Sequence, residues 1–237
     1  MSTYVIGDIH GEYEQLIILI EKMKIKEEDY LYVLGDVVDR GKHPIKALQY
    51  LMTLKNCRCL IGNHEIMAMK CLKLLKNEIT EDFISSLKEK DILYLLDWMR
   101  NGAKSTMDEF QSLTKEEQDD ILDFIGDFEA YAEITVNGQE YILVHAGLGD
   151  NFCYLTPMED YSLDELVWHR PDYDIPYFED KIVITGHTPT QHIPCNPKPG
   201  YIFKGNNHIA IDCCACSHKG RLAGICLETG EEFYSRD

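Results

Sequence analysis

Five short apolar segments of this chain each end in glycine together with aspartate, asparagine or histidine. An apolar segment of this length, bounded by glycine, is typical of a buried strand. Burying a carboxylate without a partner is costly, so Asp36 and Asp39, which follow the segment YLYVLG, need either an exposed turn or a cation. In α/β sheets ligands bind at the carboxyl ends of strands, so we expect the polar groups to converge there. The segments end in Gly7-Asp8-Ile9-His10-Gly11, Gly35-Asp36, Gly62-Asn63-His64-Glu65, His145-Ala146-Gly147 and Gly186-His187-Thr188.

The first part of the chain alternates strand-like and helix-like segments. TYVIGD precedes EYEQLIILIEKM, in which apolar residues recur at helical spacing. YLYVLGD precedes HPIKALQYLMTLK, and RCLIGNHE, interpreted as a third strand, precedes IMAMKCLKLLK. This β-α-β-α-β order predicts an α/β layered fold.

The remaining segments predict a helical insertion followed by more strands. Residues 65 to about 128 have mostly helical patterns, and Thr114 with Glu117 forms a capping box. Asn137-Gly138 predicts a hairpin turn. The segment SLDELVWHR predicts a short helix, and the segment KIVITGHTPT predicts a strand that runs into a loop. Short antiparallel strands are expected from Tyr201 onward. Because no linker or low-complexity tract divides the sequence, we expect a single domain over residues 1–237.

Composition excludes several classes of partner and site. The net charge of -18 argues against general affinity for nucleic acid or an anionic membrane. No apolar run is long enough to span a bilayer, and the start of the sequence lacks a secretory signal pattern, so a cytoplasmic location is expected. The nine cysteines are expected to be free thiols, and their spacing disfavours structural zinc.

The side chains at the strand ends form a nitrogen and oxygen ligand set of three imidazoles, two carboxylates and one amide. Such a set suits Mn, Fe, Zn, Co or Ni better than Ca or Mg. The number of candidate ligands exceeds what one metal site with an open position needs. A carboxylate shared between two sites would permit two ions to bind. Arg40 and Arg170 could bind phosphate oxygens in a bidentate manner. The six candidate ligands are Asp8, His10, Asp36, Asn63, His145 and His187.

Each motif also has a purely structural interpretation when taken alone. GDIHG could be a turn with a surface histidine, and GNHE could be a helix N-terminus with His64 in its first turn. His169 is ambiguous. The histidines outside these motifs are interpreted as surface or packing residues; they are His43, His192, His208 and His218.

The order of these motifs resembles that of the metal-dependent phosphoprotein phosphatases, the calcineurin-like metallophosphoesterases. The motifs that carry the resemblance are GDIHG, GDVVDRG, GNHE, HAG and GHTPT. The resemblance implies a layered β-sandwich flanked by helices, with a dinuclear metal centre at its edge and a mostly helical insertion. It implies that His64 is the general acid, that Asp39 orients it, and that Asp36 bridges two divalent ions. One ion would be held by Asp8, His10 and Asp36. The other ion would be held by Asp36, Asn63, His145 and His187. The substrate phosphate would be bound by Arg40, Arg170 and Asn63.

The implied chemistry is consistent with these residue types. A water that bridges two ions becomes a hydroxide nucleophile near neutral pH and attacks phosphorus in line with the leaving group. Cations stabilise the charge on the equatorial oxygens. His64 would protonate the leaving alkoxide, and Asp39 would keep its imidazole protonated. Manganese is the first candidate ion, with Fe, Zn, Co or Ni as alternatives.

The family includes serine/threonine protein phosphatases and symmetrical dinucleoside tetraphosphate hydrolases. In the hydrolases the equivalents of DRG and GNHE typically look like ARG and GNHD, whereas this chain has Asp39 and Glu65. The sequence therefore favours hydrolysis of phosphoserine and phosphothreonine, with phosphotyrosine as a further candidate, on a phosphoprotein or phosphopeptide. A dinucleoside tetraphosphate hydrolase is the alternative, and a non-catalytic scaffold is a third hypothesis. The oligomeric state stays open.

The segment IDCCAC at 211–216 departs from the IDTGA of bacterial relatives. Two interpretations follow. Its small residues could pack a strand end, or the thiols of Cys213, Cys214 and Cys216 could lie near the metals and confer redox sensitivity.

Overall fold

The computed structural model describes residues 1–76, 87–150 and 152–236. Most of the strands in these residues are short, and they fall into two sheets. In chain order they are β1 (Thr3–Ile6), β2 (Tyr30–Val33), β3 (Cys57–Cys59), β4 (Tyr131–Val136), β5 (Gln139–Val144), β6 (Lys181–Thr185), β7 (Phe203–Gly205), β8 (His208–Ala210), β9 (Ala223–Cys226) and β10 (Glu232–Tyr234).

The helices of the described residues lie mainly in the first half of the chain. Short 3₁₀ helices cover Met158–Asp160 and Thr190–His192. The α-helices are α1 (Tyr13–Met23), α2 (Pro44–Met52), α3 (Asn63–Leu75), α4 (Glu89–Arg100), α5 (Lys104–Gln111), α6 (Lys115–Gly126) and α7 (Leu163–Trp168).

Each sheet has five strands, three of which are parallel neighbours. The first has the order β10-β9-β1-β2-β3, with β1, β2 and β3 parallel. The second has the order β4-β5-β6-β8-β7, with β5, β6 and β8 parallel. Parallel neighbours have their carboxyl ends at the same edge, so each sheet presents its motif-bearing loops together.

Strand alternation divides the core into layers. Successive side chains of a strand point to opposite faces; accordingly Val5 lies between the two sheets, with Leu143 and Ile184 of the second sheet. Its neighbour Ile6 faces the helices on the outer side of the first sheet. Val183 packs on the other side of the second sheet, against the face that α7 covers. The order helix, sheet, sheet, helix confirms the expected α/β layered sandwich.

The later helices of the predicted insertion, α4 to α6, pack beside α2 and α3. Trp98, Phe110 and Ile125 are fully buried in the same core cluster as the apolar faces of those two helices. Thr114 accepts a hydrogen bond from the backbone N–H of Glu117, so the capping box is confirmed. The part of the predicted insertion at residues 77–86 lies outside the described residues.

The third strand is shorter than its sequence pattern indicates. It ends at Cys59, and Leu60 adds an isolated bridge to Glu129. The interpretation of Asn63 to Glu65 as strand residues is wrong, because α3 begins at Asn63. His64 therefore lies in the first turn of a helix, where it is fully buried.

The hairpin and the strands of the C-terminal part are confirmed, with one change in pairing. Asn137 and Gly138 both have positive φ, 51° and 82°, as a two-residue hairpin turn requires. β7 pairs with β8, and β9 with β10, antiparallel. However, β8 pairs with β6 in parallel, and β9 joins the first sheet beside β1.

In the described part of the chain, no helix has the length and apolar character that a bilayer crossing demands.

Candidate metal centre

Asp36 lies at the centre of the predicted ligand set. Its Oδ1 is 3.4 Å from Nε2 of His145, and its Oδ2 is 3.5 Å from Nε2 of His10. Oδ1 also accepts a hydrogen bond from the backbone N–H of His64 at 3.0 Å. Two groups of potential ligand atoms share Asp36, one with His10 and His64 and one with His145 and His187. The two carboxylate oxygens thus face two different sets of imidazoles, as a bridging ligand would.

Second hydrogen bonds fix the orientation of two imidazoles. Nδ1 of His145 lies 2.7 Å from the carbonyl oxygen of Leu34, and Nδ1 of His10 lies 3.0 Å from that of Val38. A carbonyl only accepts, so each Nδ1 carries the proton and each Nε2 keeps its lone pair. Nε2 of His145 is also 3.1 Å from Oδ1 of Asn63. These lone pairs point toward Asp36, which is an arrangement that suits a cation.

Burial keeps these histidines neutral. It lowers the pKa of His10 to about 3 and that of His145 below its usual range, although the charge of Asp36 opposes both shifts. Burial, together with the neighbouring His145, also lowers the pKa of His187 to about 3. Neutral imidazole is the form that binds a metal ion, so the protonation states fit the predicted role.

Buried negative charge at the site is not balanced by the histidines. Asp8, Asp36 and Asp212 are each at most 5% exposed. Burial and the charges of Asp212 and Asp36 raise the pKa of Asp8 well above its usual range. Burial also raises the pKa of Asp212 to about 6. A divalent cation would neutralise these carboxylates, so the residues present fit a metal ion.

Asp8 and His187 are held together through the backbone. The N–H of His187 lies 3.1 Å from both carboxylate oxygens of Asp8. Gly186 permits this contact, because a Cβ at that position would lie 2.2 Å from Oδ1 of Asp8. A Cβ on Gly62 would likewise lie 2.1 Å from Oδ1 of Asp36. These two glycines are therefore required for the approach of backbone to ligand.

Backbone strain is concentrated at the centre. Positive φ is uncommon outside glycine and costs about 1–3 kcal/mol per residue. In the described residues, half of the non-glycine positions with positive φ belong to the predicted site. They are His10 (45°), Asp36 (49°), Asp39 (70°), Arg40 (68°) and His187 (58°).

His64 and Asp39 form the predicted pair. Nδ1 of His64 lies 2.7 Å from Oδ2 of Asp39, and both side chains are fully buried. Burial opposes the charged imidazolium, but the carboxylates of Asp36 and Asp39 outweigh it and raise the pKa of His64. Nε2 of His64 points toward the centre, 4.0 Å from Oδ2 of Asp36. Asp39 therefore favours the protonated form of His64, and Nε2 of His64 faces the ligand set.

The insertion supplies two further partners of Asp39. Nε1 of Trp98 donates to Oδ2 of Asp39 at 2.8 Å, and Oγ1 of Thr106 donates to Oδ1 at 2.6 Å. Oγ1 of Thr106 also accepts from the backbone N–H of Asp39 at 2.9 Å. The carboxylate accepts in each of its contacts, and together with His64 these partners fix its orientation from three sides.

Arg40 spans the two imidazoles on the open side of the centre. Its Nη1 lies 2.6 Å from Nε2 of His10, and its Nη2 lies 2.8 Å from Nε2 of His64. The backbone N–H of Arg40 donates to the carbonyl of Gly102 in the insertion. The side chain is exposed, so a phosphate could reach its guanidinium group.

Glu65 holds the loop that carries Asp36. Its Oε2 accepts from the backbone N–H groups of Asp36 and Gly62 at 2.8 and 2.9 Å. Its Oε1 accepts from Val37 and Val38 at 2.8 and 3.2 Å. The sequence linked Glu65 only to the choice of substrate class, whereas the structure gives it a positioning role.

Arg170 lies at the rim and not in the buried set. Nη1 of Arg170 is 3.4 Å from the carbonyl of His187 and from Oγ1 of Thr188. Its charge contributes to the lowered pKa of His187. The side chain is exposed and lies beside the centre, and its role as a phosphate ligand stays a prediction.

The histidines outside the motifs do not join the described ligand groups. His208 is buried against Tyr173, and His43 contacts Glu109 of α5. His192 and His218 are exposed. Nδ1 of His169, which the sequence left ambiguous, is 3.2 Å from Asp150.

The cysteine segment is mostly a packing feature. Cys213 lies in the core between the sheets, and Nε2 of Gln191 is 3.8 Å from Sγ of Cys214. Burial raises the pKa of both thiols to about 12. A raised pKa reduces the thiolate fraction on which thiol oxidation depends. These contacts favour the packing interpretation of Cys213 and Cys214.

Sequence reasoning missed Trp98, Thr106 and Asp212. Trp98 and Thr106 lie on the buried faces of amphipathic helices, and the pattern of such a helix does not show which distant carboxylate its side chains will contact. Asp212 gave a usable signal, because it follows the apolar strand β8 just as Asp8 follows β1. The cysteines that follow Asp212 obscured that signal.

The chain matches the model of a known protein family over most of its length. A family model of calcineurin-like phosphoesterases matches residues 1–219. The chain belongs to the calcineurin-like phosphoesterase family. The resemblance inferred from the five motifs is thereby confirmed, and the candidate centre of this calcineurin-like phosphoesterase lies within the matched residues.

The curated relatives carry a more specific name. A symmetrical bis(5'-nucleosyl)-tetraphosphatase from Buchnera aphidicola subsp. Acyrthosiphon pisum is 37% identical over 112 residues, which are 46% of this chain and 41% of the relative. The chain therefore spans less than half of the length of the curated relatives it matches.

Solved structures agree on the fold. A crystal structure of a provisionally named diadenosine tetraphosphatase has a TM-score of 0.65 at 18% identity, and the match covers 98% of this chain and 92% of that one. A cold-active protein-tyrosine phosphatase of Shewanella sp. has a TM-score of 0.56 at 15% identity, with 99% and 80% covered. At these identities the similarity supports the fold alone.

Proposed function

We propose that this calcineurin-like phosphoesterase is a metal-dependent hydrolase of phosphate esters and anhydrides. The observation that carries the proposal is the position of Asp36, whose two carboxylate oxygens face separate groups of imidazoles. Asp8, His10 and Asp36 would hold one divalent ion; Asp36, Asn63, His145 and His187 would hold a second, with manganese as the first candidate. Bound ions would supply a nucleophilic water near neutral pH and positive charge for the phosphoryl oxygens.

The protein's own groups would bind the phosphate and supply the proton. Arg40 and Arg170 both border the centre and offer planar donors that match phosphate oxygens. His64, with its raised pKa, would donate from Nε2 to the leaving oxygen while Asp39 holds Nδ1. Such general acid catalysis contributes about 10²- to 10⁴-fold to rate.

We propose a dinucleoside polyphosphate as the substrate, cleaved symmetrically. The curated relatives named as symmetrical bis(5'-nucleosyl)-tetraphosphatases support this choice over the phosphoprotein that the sequence favoured. The insertion also supports it. Gly102, between α4 and α5, accepts from the backbone N–H of Arg40, so these helices lie beside the proposed phosphate site, where a second nucleoside would contact them.

A phosphoprotein or phosphopeptide is the second candidate, and Asp39 is the observation that favours it. The leaving alkoxide of phosphoserine or phosphothreonine is a strong base that needs a proton, whereas a nucleoside diphosphate leaves readily as an anion. A buried carboxylate that keeps His64 protonated is therefore most valuable for the alkoxide. The cytoplasmic location, the single domain and the exclusion of nucleic acid stay predictions.

A competition assay tests the choice of substrate. Protein purified metal-free and reloaded with manganese would be offered diadenosine tetraphosphate and a phosphothreonine peptide, and kcat/KM compared. We expect a preference for the dinucleotide, with adenosine diphosphate as the single nucleotide product. His64→Asn removes the proton donor, and His218→Asn is the matched exposed control. A preference for the peptide would overturn the dinucleotide in favour of the second candidate.

A further inference from the structure

An exposed indole stands at the rim of the candidate centre. Trp168 ends α7 and is 45% exposed. Its ring centroid is 6.1 Å from that of His187, with the planes nearly perpendicular at 87°. The other tryptophan of the chain, Trp98, is fully buried. Trp168 thus leaves a large apolar surface in water beside a predicted metal ligand.

The fold fixes Trp168 in this position. Ser162 caps α7 by accepting from the backbone N–H of Glu165. Leu166 and Val167 are buried in the core under the second sheet. The carbonyl of Leu166 also accepts from the N–H of Ala146, next to the ligand His145, at 2.9 Å. With those neighbours held inward, the ring of Trp168 is directed outward by the helix and not by a flexible loop.

The rim of the centre carries charges of both signs in separate places. Arg40 and Arg170, the candidate phosphate ligands, are cationic. Beside Trp168, in contrast, a cavity of about 280 Å³ is lined by the carboxylates of Asp150, Asp164 and Glu165 together with Trp168 and His169, whose Nδ1 lies 3.2 Å from Asp150. Ionised carboxylates only accept hydrogen bonds, so this cavity disfavours phosphate and suits a group with N–H donors. The amino-bearing edge of a purine is such a group.

We propose that Trp168 is the stacking surface for a nucleobase of the substrate, with its amino edge directed to the acidic cavity. This inference rests on the proposed dinucleoside polyphosphate substrate and specifies where one base binds. A base is joined to its phosphates through a single ribose, so its site must border the phosphate site, as Trp168 borders His187. Stacking on an aromatic side chain tolerates different bases.

Fluorescence tests the proposal without turnover. Adenosine diphosphate and pyrophosphate, which share the phosphates but not the base, would be titrated into manganese-loaded protein while tryptophan emission is recorded. We expect the diphosphate nucleotide to quench emission and pyrophosphate to leave it unchanged. Trp168→Phe leaves only Trp98 as a fluorophore, so the quenching should disappear in that variant.

Kinetics supply a second readout. Trp168→Ala should raise KM for diadenosine tetraphosphate about tenfold, because stacking contributes about that factor per base. Trp168→Phe should restore most of the affinity. Leu163→Ala, on the same helix and 39% exposed, is the matched truncation and should keep the parental KM.

The outcomes separate this inference from the proposed substrate. Quenching by the nucleotide without hydrolysis of the dinucleotide would reject the substrate and support the base site. Hydrolysis with a parental KM in Trp168→Ala, and no quenching, would overturn the base site alone. Equal quenching by phenyl phosphate would also overturn it, because the indole would then bind any aromatic group.

Discussion

His64 and Trp98 donate hydrogen bonds to the same oxygen, Oδ2 of Asp39, at 2.7 and 2.8 Å. One donor comes from the first turn of α3 and the other from α4 of the insertion. Because Asp39 is fully buried, these contacts cannot be replaced by water without opening the core. The insertion therefore controls the orientation of the proposed general acid.

Replacing Asp39 by asparagine tests the pairing with His64. The carboxylate raises the pKa of His64, so Asp39→Asn should lower it. A general acid must be protonated, and kcat falls as pH rises through its pKa; the alkaline limb of the pH profile should therefore move to lower pH. We also expect kcat to fall by about 10²-fold. An unchanged alkaline limb in a folded variant would exclude His64 as the group that titrates there.

Trp98→Phe tests the coupling of the insertion to catalysis. The variant keeps an aromatic ring in the core but loses the donor to Asp39, so we expect a lower kcat and a changed pH profile. Phe110→Leu is the matched control, because Phe110 is buried in the same cluster. Both should lower the free energy of unfolding by about 1–3 kcal/mol. If both alter the pH profile alike, packing and not the hydrogen bond is responsible.

Glu65→Gln tests the role of the carboxylate that accepts four backbone N–H groups. A glutamine side chain has one carbonyl oxygen and places an NH2 donor against N–H donors, leaving buried groups unpaired. We expect the free energy of unfolding to fall by about 3 kcal/mol, measured by urea denaturation. Glu116→Gln, on the exposed face of α6, should leave stability unchanged. A Glu65→Gln variant as stable as the parent would contradict the positioning role.

Asp212→Asn should have opposite effects on the metal-free and metal-loaded proteins. The charge of Asp212 raises the pKa of Asp8, which reflects repulsion between two buried carboxylates when no cation is present. Removing that charge should raise the melting temperature of the metal-free protein and reduce the further increase that manganese produces. Thermal unfolding with and without manganese measures both. If metal-free Asp212→Asn melted at a lower temperature than the metal-free parent, the repulsion between Asp212 and Asp8 would already be compensated in the parent.

The local sequence determined most of the candidate ligands. Apolar strands that end in glycine beside aspartate or histidine are enough to identify Asp36 and His187. These signals act within a few residues, and the parallel order of strands then brings their ends to one edge. The end of the third strand was misjudged, because GNHE fits a strand end and a helix start equally well and only the packing of α3 decides between them.

The sequence by itself determined the layered α/β fold, the hairpin at Asn137 and the residue types of the candidate metal centre, since these depend on periodicity, turn chemistry and strand ends. Only the tertiary structure decided which residues support that centre. Trp98 and Thr106 lie 59 and 67 residues from Asp39, and Trp168 contacts His187 from a helix that packs against the second sheet. The physical reason is that such contacts form when whole helices pack against the sheets. The side-chain pattern of one segment does not show which residues of a distant segment will contact it.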